Sequence, residues 1–247
     1  MSPAATSPVS KLVPPPRRGR TFEREVVPGL ADATVSGRVR LDAIARWLQD
    51  VAYADVLDAG LAGTGAWVVR RARLRVDSFP GFGEPVSIRT FCSAAGRIAA
   101  ERRTTVFGAR TAVEAVALWI HVDTATLRPL RLGEDFHAVY GDSAGRRKAD
   151  FRLRHPEPPA DARRAPWRFR ASDVDIAGHV NNAAYWEPVE EALWHRAPEP
   201  AGADMEIEYR DPAQPGEAMI IRAGTAMWIT GPEGAIHASI VGLPEHR

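Results

Sequence analysis

This chain has one cysteine, Cys92, among 247 residues. A single thiol forms no intrachain disulfide and builds no cysteine zinc cluster. No apolar run approaches the roughly 18 residues of a membrane span. Residues 1–20, MSPAATSPVSKLVPPPRRGR, lack the apolar core of a secretory signal and lack any acid. Their Pro, Ser, Ala and Arg content predicts a disordered tail. Charge of one sign is missing too. The 32 basic and 31 acidic side chains leave a formal net charge of +1, so the overall balance calls for neither a nucleic acid nor a membrane surface. Together these absences predict a soluble protein in a reducing, cytoplasmic setting. What is present is apolar content: 45% hydrophobic residues, enough for a sizeable core in one or two domains.

Along the chain, TFEREVVPGL reads as a first strand with a Pro-Gly turn signal. The segment GRVRLDAIARWLQDVAYADVLDAG carries the clearest helical pattern. Leu41, Ile44, Leu48 and Val51 recur at steps of three and four, and Gly60 offers a stop. Four strand-like segments follow: AWVVRRARLRVDSF, EPVSIRTFC, IAAERRTTVFG and TAVEAVALWIHVD. In the last, Val116, Leu118, Ile120 and Val122 share one face at period two. Strand, long helix, then strands joined by short turns indicates α+β with an antiparallel sheet.

Residues 141–166 are rich in Arg, Pro and small polar residues and read as a linker between halves at 21–140 and 167–247. The element order then begins again. RLRVDSFPGFGEPVSIR (73–89) lies over EIEYRDPAQPGEAMIIR (206–222) without a gap, an offset of 133 residues that sets Gly83-Glu84 on Gly216-Glu217. Upstream of each helix, Ser36-Gly37-Arg38-Val39 matches Ala177-Gly178-His179-Val180. Duplication explains both the matches and the repeated order. Each half is then a curved sheet wrapped around its helix, and the two sheets can continue into one another and bury their edges.

The second half carries the chemistry-bearing cluster, Asp173-Val-Asp175-Ile-Ala177-Gly-His179-Val180-Asn181-Asn182, followed by Tyr185 and Trp186. With Trp67-Val68-Val69-Arg70, Ala117-Leu118-Trp119 and Thr126-Leu127-Arg128-Pro129-Leu130, it resembles the acyl-ACP thioesterases of the plant and bacterial type. The resemblance spans most of residues 21–242. It implies a tandem (double) hotdog fold, two antiparallel sheets each wrapped around a long central helix. It also implies hydrolysis of the thioester joining a fatty acyl chain to acyl carrier protein. The family's catalytic aspartate and histidine fall on Asp175 and His179. Its asparagine falls at 177, where this chain has Ala177. Its later glutamate falls near 211–213, where only Asp211 offers a carboxylate.

Thioester hydrolysis needs an attacking water or nucleophile, a base, and donors for the developing oxyanion. Asp175 can serve as base or nucleophile. His179 can orient water or give a proton to the leaving thiolate. N–H groups at Val180, Asn181 and Asn182, before the second helix, are candidate oxyanion donors; Asn181 and Asn182 serve equally well as helix caps. Asp173 reads as a turn residue. Glu190 and Glu191 read most simply as a solvated helix face, with Glu191 a candidate for facing the substrate. Pro188 should kink that helix or mark its first turns. The chemistry needs no metal and no organic cofactor.

Other features compete. Gly141-Asp142-Ser143-Ala144-Gly145 fits the Gly-x-Ser-x-Gly nucleophile elbow but sits in a polar, Arg-rich stretch with no flanking strand and helix. Cys92 reads as a buried structural thiol. The first half has Arg38-Val39-Arg40-Leu41 where the second has His179-Val180-Asn181-Asn182, so one site per chain is expected. Ile44, Trp47, Leu48 and Val51 then wall an acyl site or belong to the core. Arg70, Arg71, Arg73 and Arg75 can meet an acidic carrier protein, although a solvated strand face explains them nearly as well. The leading expectation is a thiolester hydrolase acting on acyl-ACP or acyl-CoA, with a homodimer allowed. The alternatives are a hotdog hydratase or dehydratase, and a non-catalytic acyl-thioester-binding protein.

Overall fold

The computed structural model describes residues 10–194 and 198–244. Ten strands form one continuous antiparallel sheet. The first half supplies β1 (Phe22–Val26), β2 (Ala66–Ser78), β3 (Val86–Ala95), β4 (Ala99–Phe107) and β5 (Ala112–Val122). The second supplies β6 (Arg163–Phe169), β7 (Ala203–Tyr209), β8 (Gly216–Ala223), β9 (Ala226–Thr230) and β10 (Ile236–Val241). Their order across the sheet is β1-β3-β4-β5-β2-β7-β10-β9-β8-β6. Read from either edge, that order is the same five-strand unit, so the duplication seen in the sequence is also a duplication of topology.

The two units join where β2 pairs with β7. Arg73 lies directly opposite Glu206 in that ladder, and the 133-residue repeat maps Arg73 onto Glu206. The local two-fold therefore passes between these two residues. Joining there leaves each unit with only its outer edge open.

The helices differ between halves. α1 (Leu41–Asp58) presents Leu41, Ile44, Trp47 and Val51 to the core and ends at Gly60, whose φ of +71° favours glycine. In the second half a short 3-10 helix, Asn182–Trp186, leads into α3 (Glu187–Trp194). Pro188 sits in the first turn of α3, where its missing N–H costs nothing. One apolar cluster spans both halves, from Val39, Ile44 and Leu74 to Trp186, Val189 and Ile207.

α2 (Glu134–Ala144) closes the first half over Cys92, Leu132 and Phe136. Burial pushes the Cys92 thiol up to about 11, as suits an inert structural residue. The Gly-x-Ser-x-Gly stretch is the end of α2. Ser143 is fully buried and its hydroxyl donates to the Tyr140 carbonyl, so it is no elbow, and residues 141–144 are helix where a linker was expected.

Both faces of the sheet near the seam are covered, which accounts for three further departures from the sequence reading. First, Ser10 is buried and its N–H donates to Glu206 Oε2 at 2.8 Å. Residues 10–20 are thus tied to the domain at Ser10, the Val13 carbonyl and Arg20, contrary to a tail disordered to residue 20; residues 1–9 lie outside the described residues. Second, the linker lies against the sheet: its carbonyls at Asp150 and Arg152 accept from Arg71, and His155 is buried. Third, the arginines of β2 are not a free basic face. Arg71 is only 3% exposed, Arg73 is forked onto Asp204 at 2.8 and 2.7 Å, and Arg70 donates to the Tyr209 and Arg210 carbonyls. In β5, likewise, Val113 and Ala115 face the main core while Val116 and Leu118 are buried on the opposite side.

Candidate active site

The polar cluster lies on the loop between β6 and the 3-10 helix. Its shape comes from local bonds. Asp173 turns the chain by accepting from the Arg170 N–H at 2.7 Å, and the Asn181 N–H donates to the Asp173 carbonyl at 2.8 Å. The Asp175 N–H donates to the His179 carbonyl and the Gly178 N–H to the Asp175 carbonyl, each at 3.0 Å. Gly178, at φ +79°, closes that tight turn. The loop is therefore a pinned β-turn, and it holds Asp175 and His179 on one short excursion.

Two donors hold the Asp175 carboxylate. Oδ1 accepts from the Ala177 N–H at 2.9 Å, and Oδ2 accepts from Asn181 Nδ2 at 3.0 Å. A carboxylate has about four acceptor sites, so capacity remains for a water proton. Asn181 is also the cap of the 3-10 helix, its Oδ1 accepting from the Ala183 N–H at 2.9 Å. The same oxygen accepts from Gln49 Nε2, on α1 of the other half, at 2.9 Å. Tyr185 stands behind the loop. Burial, reinforced by the Asp175 charge, pushes its phenol up to about 12, although the hydroxyl accepts the Ala213 N–H. His179 is half-buried at the end of the turn.

The segment after β7 packs on this loop: the Val180 N–H donates to the Ala213 carbonyl at 3.0 Å and Gln214 Nε2 to the Gly178 carbonyl at 3.2 Å. Ala213 and Gln214 thus lie against the loop that carries the candidate pair. The Asp211 side chain is exposed, however, and its backbone bonds to Ile236 and His237.

The oxyanion expectation needs correction at two positions. The N–H groups of Val180 and Asn181 are spent on Ala213 and Asp173, because both are used to pin the loop. Asn182 instead lines a narrow cleft between α1 and the first-half sheet, together with Leu48, Gln49, Ala72, Ala117 and Trp119. The cleft holds about 40 Å³, little more than the ~30 Å³ share of one water. Of the four α1 residues expected to wall it, only Leu48 lines it; Ile44, Trp47 and Val51 are core.

A larger cavity lies elsewhere. It measures about 1110 Å³ between α3 and the β6-β8-β9 end of the sheet, and Glu191 lines it rather than the Asp175 loop. Glu190 is not on a solvated face. It is 8% exposed, accepts from Arg38 Nη1 and Nη2 at 3.0 and 2.7 Å, and accepts from the Leu41 N–H at 2.6 Å. Burial works against the Arg38 charge, and the Glu190 carboxylate more than offsets it, raising Arg38 above its ordinary value. His155, Glu206 and Glu208 bring potential ligand atoms within 4.8 Å of one another. Their carboxylates already accept from the Ser10, Arg154 and His155 N–H groups, and Arg71 lies 3.9 Å from Glu206, so this set reads as an ionic clasp rather than a cation site.

Residues 19–140 match the family model of the acyl-ACP thioesterase N-terminal domain, and residues 157–234 match that of the C-terminal domain. The chain belongs to the acyl-ACP thioesterase family. An uncharacterized protein of Mycobacterium tuberculosis is 30% identical over 187 residues, 75% of each chain. The chloroplastic palmitoyl-acyl carrier protein thioesterase of Arabidopsis thaliana is 26% identical over 166 residues, 59% of this chain and 40% of that protein. Among solved structures, a putative oleoyl thioesterase from Lactobacillus plantarum superposes with a TM-score of 0.75 at 18% identity, covering 93% of this chain and 99% of that one. The double hotdog fold implied by the sequence is the fold of this thioesterase family. Among the described residues no helix is long and apolar enough to cross a membrane.

Sequence reasoning missed Gln49 and Gln214. Nothing local marks either one. The signal for Gln49 lay in the repeat: the 141-residue offset between Gly37 and Gly178 sets Gln49 over Glu190.

Proposed function

We propose that this protein hydrolyses fatty acyl thioesters carried on acyl carrier protein, with acyl-CoA as a second donor, using Asp175 and His179. The observation that carries this reading is the Asp175 carboxylate. It is held by the Ala177 N–H and the Asn181 carboxamide, in a family whose members include acyl-carrier-protein thioesterases. The loop lies against the lip of the cleft through the Gln49–Asn181 bond.

In this reading Asp175 takes a proton from water as the oxygen attacks the thioester carbonyl carbon. The tetrahedral oxyanion is met at Asn182, which heads the 3-10 helix and lines the cleft. The C–S bond then breaks, and His179 supplies a proton to the departing thiolate. Because the cleft at rest holds only about 40 Å³, the acyl chain enters by parting α1 from the sheet. The small side chains Ala45, Ala72 and Ala117 leave that interface least tightly keyed.

The test is thiol release from acyl-ACP and acyl-CoA of several chain lengths, beside Asp175→Asn and His179→Ala. Wild-type turnover with a fall of about 10²–10⁴-fold in each variant is expected. If no donor yields thiol, the protein is a binder or catalyses other chemistry. If Asp175→Asn keeps the full rate, the residue assignment is wrong.

A further inference from the structure

The backbone bonds of the Asp175 loop have twins in the first half, at an offset of 141 residues within the loop and of 133 for the carbonyl that the next hairpin supplies. Asp32 turns the first-half loop by accepting from the Gly29 N–H at 2.9 Å, as Asp173 does from Arg170. The Thr34 N–H donates to the Arg38 carbonyl, as Asp175 does to His179. The Arg40 N–H donates to the Asp32 carbonyl, as Asn181 does to Asp173. The Val39 N–H donates to the Pro80 carbonyl, as Val180 does to Ala213. The backbone is conserved between the halves of this one chain, while Thr34, Arg38 and Arg40 stand where Asp175, His179 and Asn181 carry the chemistry.

The same offset pairs Gln49 of α1 with Glu190 of α3. Each reaches out of its own helix to the loop of the opposite half. Glu190 binds Arg38 and the Leu41 N–H. Gln49 binds Asn181. The position is thus a cross-brace between the halves, ionic on the side without chemistry and amide-to-amide on the side with it.

We propose that Gln49 is a positioning residue for thioester hydrolysis, fixing the Asn181 carboxamide so that its NH₂ faces Asp175. This rests on the reading of Asp175 given above. An asparagine side chain can present either its oxygen or its nitrogen to a neighbour. Here Oδ1 is claimed by two donors, Gln49 Nε2 and the Ala183 N–H, both at 2.9 Å. That leaves Nδ2 for the Asp175 carboxylate at 3.0 Å. Without Gln49 the amide oxygen keeps one donor, the Ala183 N–H, and the group is held less firmly against Asp175. With glutamate at 49, the carboxylate attracts Nδ2 and turns Oδ1 toward Asp175, oxygen against oxygen.

The experiment is a double-mutant cycle on kcat and KM with Gln49→Ala, Gln49→Glu, Asn181→Ala and Gln49→Ala/Asn181→Ala, with Asp175→Asn alongside. Gln49→Ala should lower kcat about 5- to 20-fold with KM nearly unchanged, and the near-isosteric Gln49→Glu should lower it further. Gln49→Ala should cost nothing more in the Asn181→Ala background, because it acts through Asn181. Full kcat in Gln49→Ala, or an undiminished loss in the Asn181→Ala background, overturns the proposal. Full activity in Asp175→Asn instead overturns the site reading on which it rests. A second readout needs no turnover: the Asn181 side-chain NH₂ resonances in a ¹⁵N spectrum should move in Gln49→Ala and in Asp175→Asn. If they do not respond to Gln49→Ala, the brace is absent.

Discussion

Removing the Glu190 carboxylate should cost this protein more stability than almost any other single truncation in α3. Arg38 and Glu190 side chains are each about 9% exposed, and the carboxylate accepts three bonds, two from Arg38 and one from the Leu41 N–H that begins α1. Glu190→Ala leaves a buried guanidinium without its main partner, a loss of ~3–5 kcal/mol for buried pairs. It also strips a helix-start N–H, worth ~1–3 kcal/mol if water cannot reach it. Two effects reduce the total. Glu199 remains 3.2 Å from Arg38 Nε, and the truncation opens a path for water. The net expectation is a loss of about 3 kcal/mol. At a urea m-value of ~3 kcal/mol/M, that moves the unfolding midpoint down by about 1 M. Glu190→Gln keeps an acceptor and should lose ~1–2 kcal/mol. The double variant Arg38→Met/Glu190→Met should recover much of the loss, since the cost lies in the stranded charge rather than in the pair. Urea unfolding followed by tryptophan fluorescence measures all three. A loss below about 1 kcal/mol in Glu190→Ala, at unchanged m, would refute the claim that this pair braces the two halves.

Other outcomes follow from the same structure. Burial works against the Glu206 charge, but bonds from His155 and Ser10 and the nearby Arg71 hold its carboxyl below the ordinary value. Its contribution is therefore present above the unfolded value of ~4.3 and lost as pH falls through the lower folded one. The melting temperature should be level from pH 7 to about 5 and drop below about 4; Glu206→Gln should melt lower at neutral pH with a shallower acid drop, and parallel curves would count against the assignment. Ala117→Leu should fill the cleft beside Trp119, costing ~1–3 kcal/mol by overpacking and shifting thiol release toward shorter acyl chains; an unchanged chain-length profile would place the acyl group elsewhere. Asp55 is 1% exposed and accepts from Arg20, Arg102 and the Tyr140 hydroxyl, so Asp55→Ala should lose ~3 kcal/mol in urea unfolding and speed tryptic cleavage at Arg17 and Arg18, since Arg20 loses one of its two carboxylate partners and keeps only Asp58.

The order of elements along the chain, the long first helix and the duplication are legible in the sequence because each is a local pattern or a repeat of one. The Asp175 loop is legible for the same reason: a Gly at positive φ, a turn aspartate and a capping asparagine all act within ten residues. What sequence reasoning misreads is long-range cover. Glu190 looks solvated because its partner is 152 residues away. The Arg71 strand looks like an open basic face because the segments that cover it, around Ser10 and Arg152, have the composition of tail and linker. Those segments pack through backbone groups, the Ser10 hydroxyl and the His155 ring, which hydrophobic patterning cannot register. The Val180 and Asn181 N–H groups look free for the same reason, since the carbonyls that take them come from Ala213 and from the turn itself.

The twin loops separate two things that a single active site confounds, the backbone that makes a loop and the side chains that make a catalyst. Both loops are pinned by the same turn aspartate, the same glycine at φ +85° or +79° and the same carbonyl from the neighbouring strand hairpin. Their shape therefore cannot be owed to catalysis. Among the side chains that differ, Thr34, Arg38 and Arg40 stand at the positions of Asp175, His179 and Asn181, and Arg38 forms an ion pair that reaches 152 residues along the chain. An ionic brace of that kind at position 49 would place a carboxylate beside Asn181 and hence near Asp175, where a second negative charge would work against the base we propose there. A neutral glutamine braces the same gap without adding charge. Under the proposed function, the difference between Glu190 and Gln49 is thus what the two roles require: a full charge where the loop only has to stay closed, and a dipole where it has to hold a carboxylate ready.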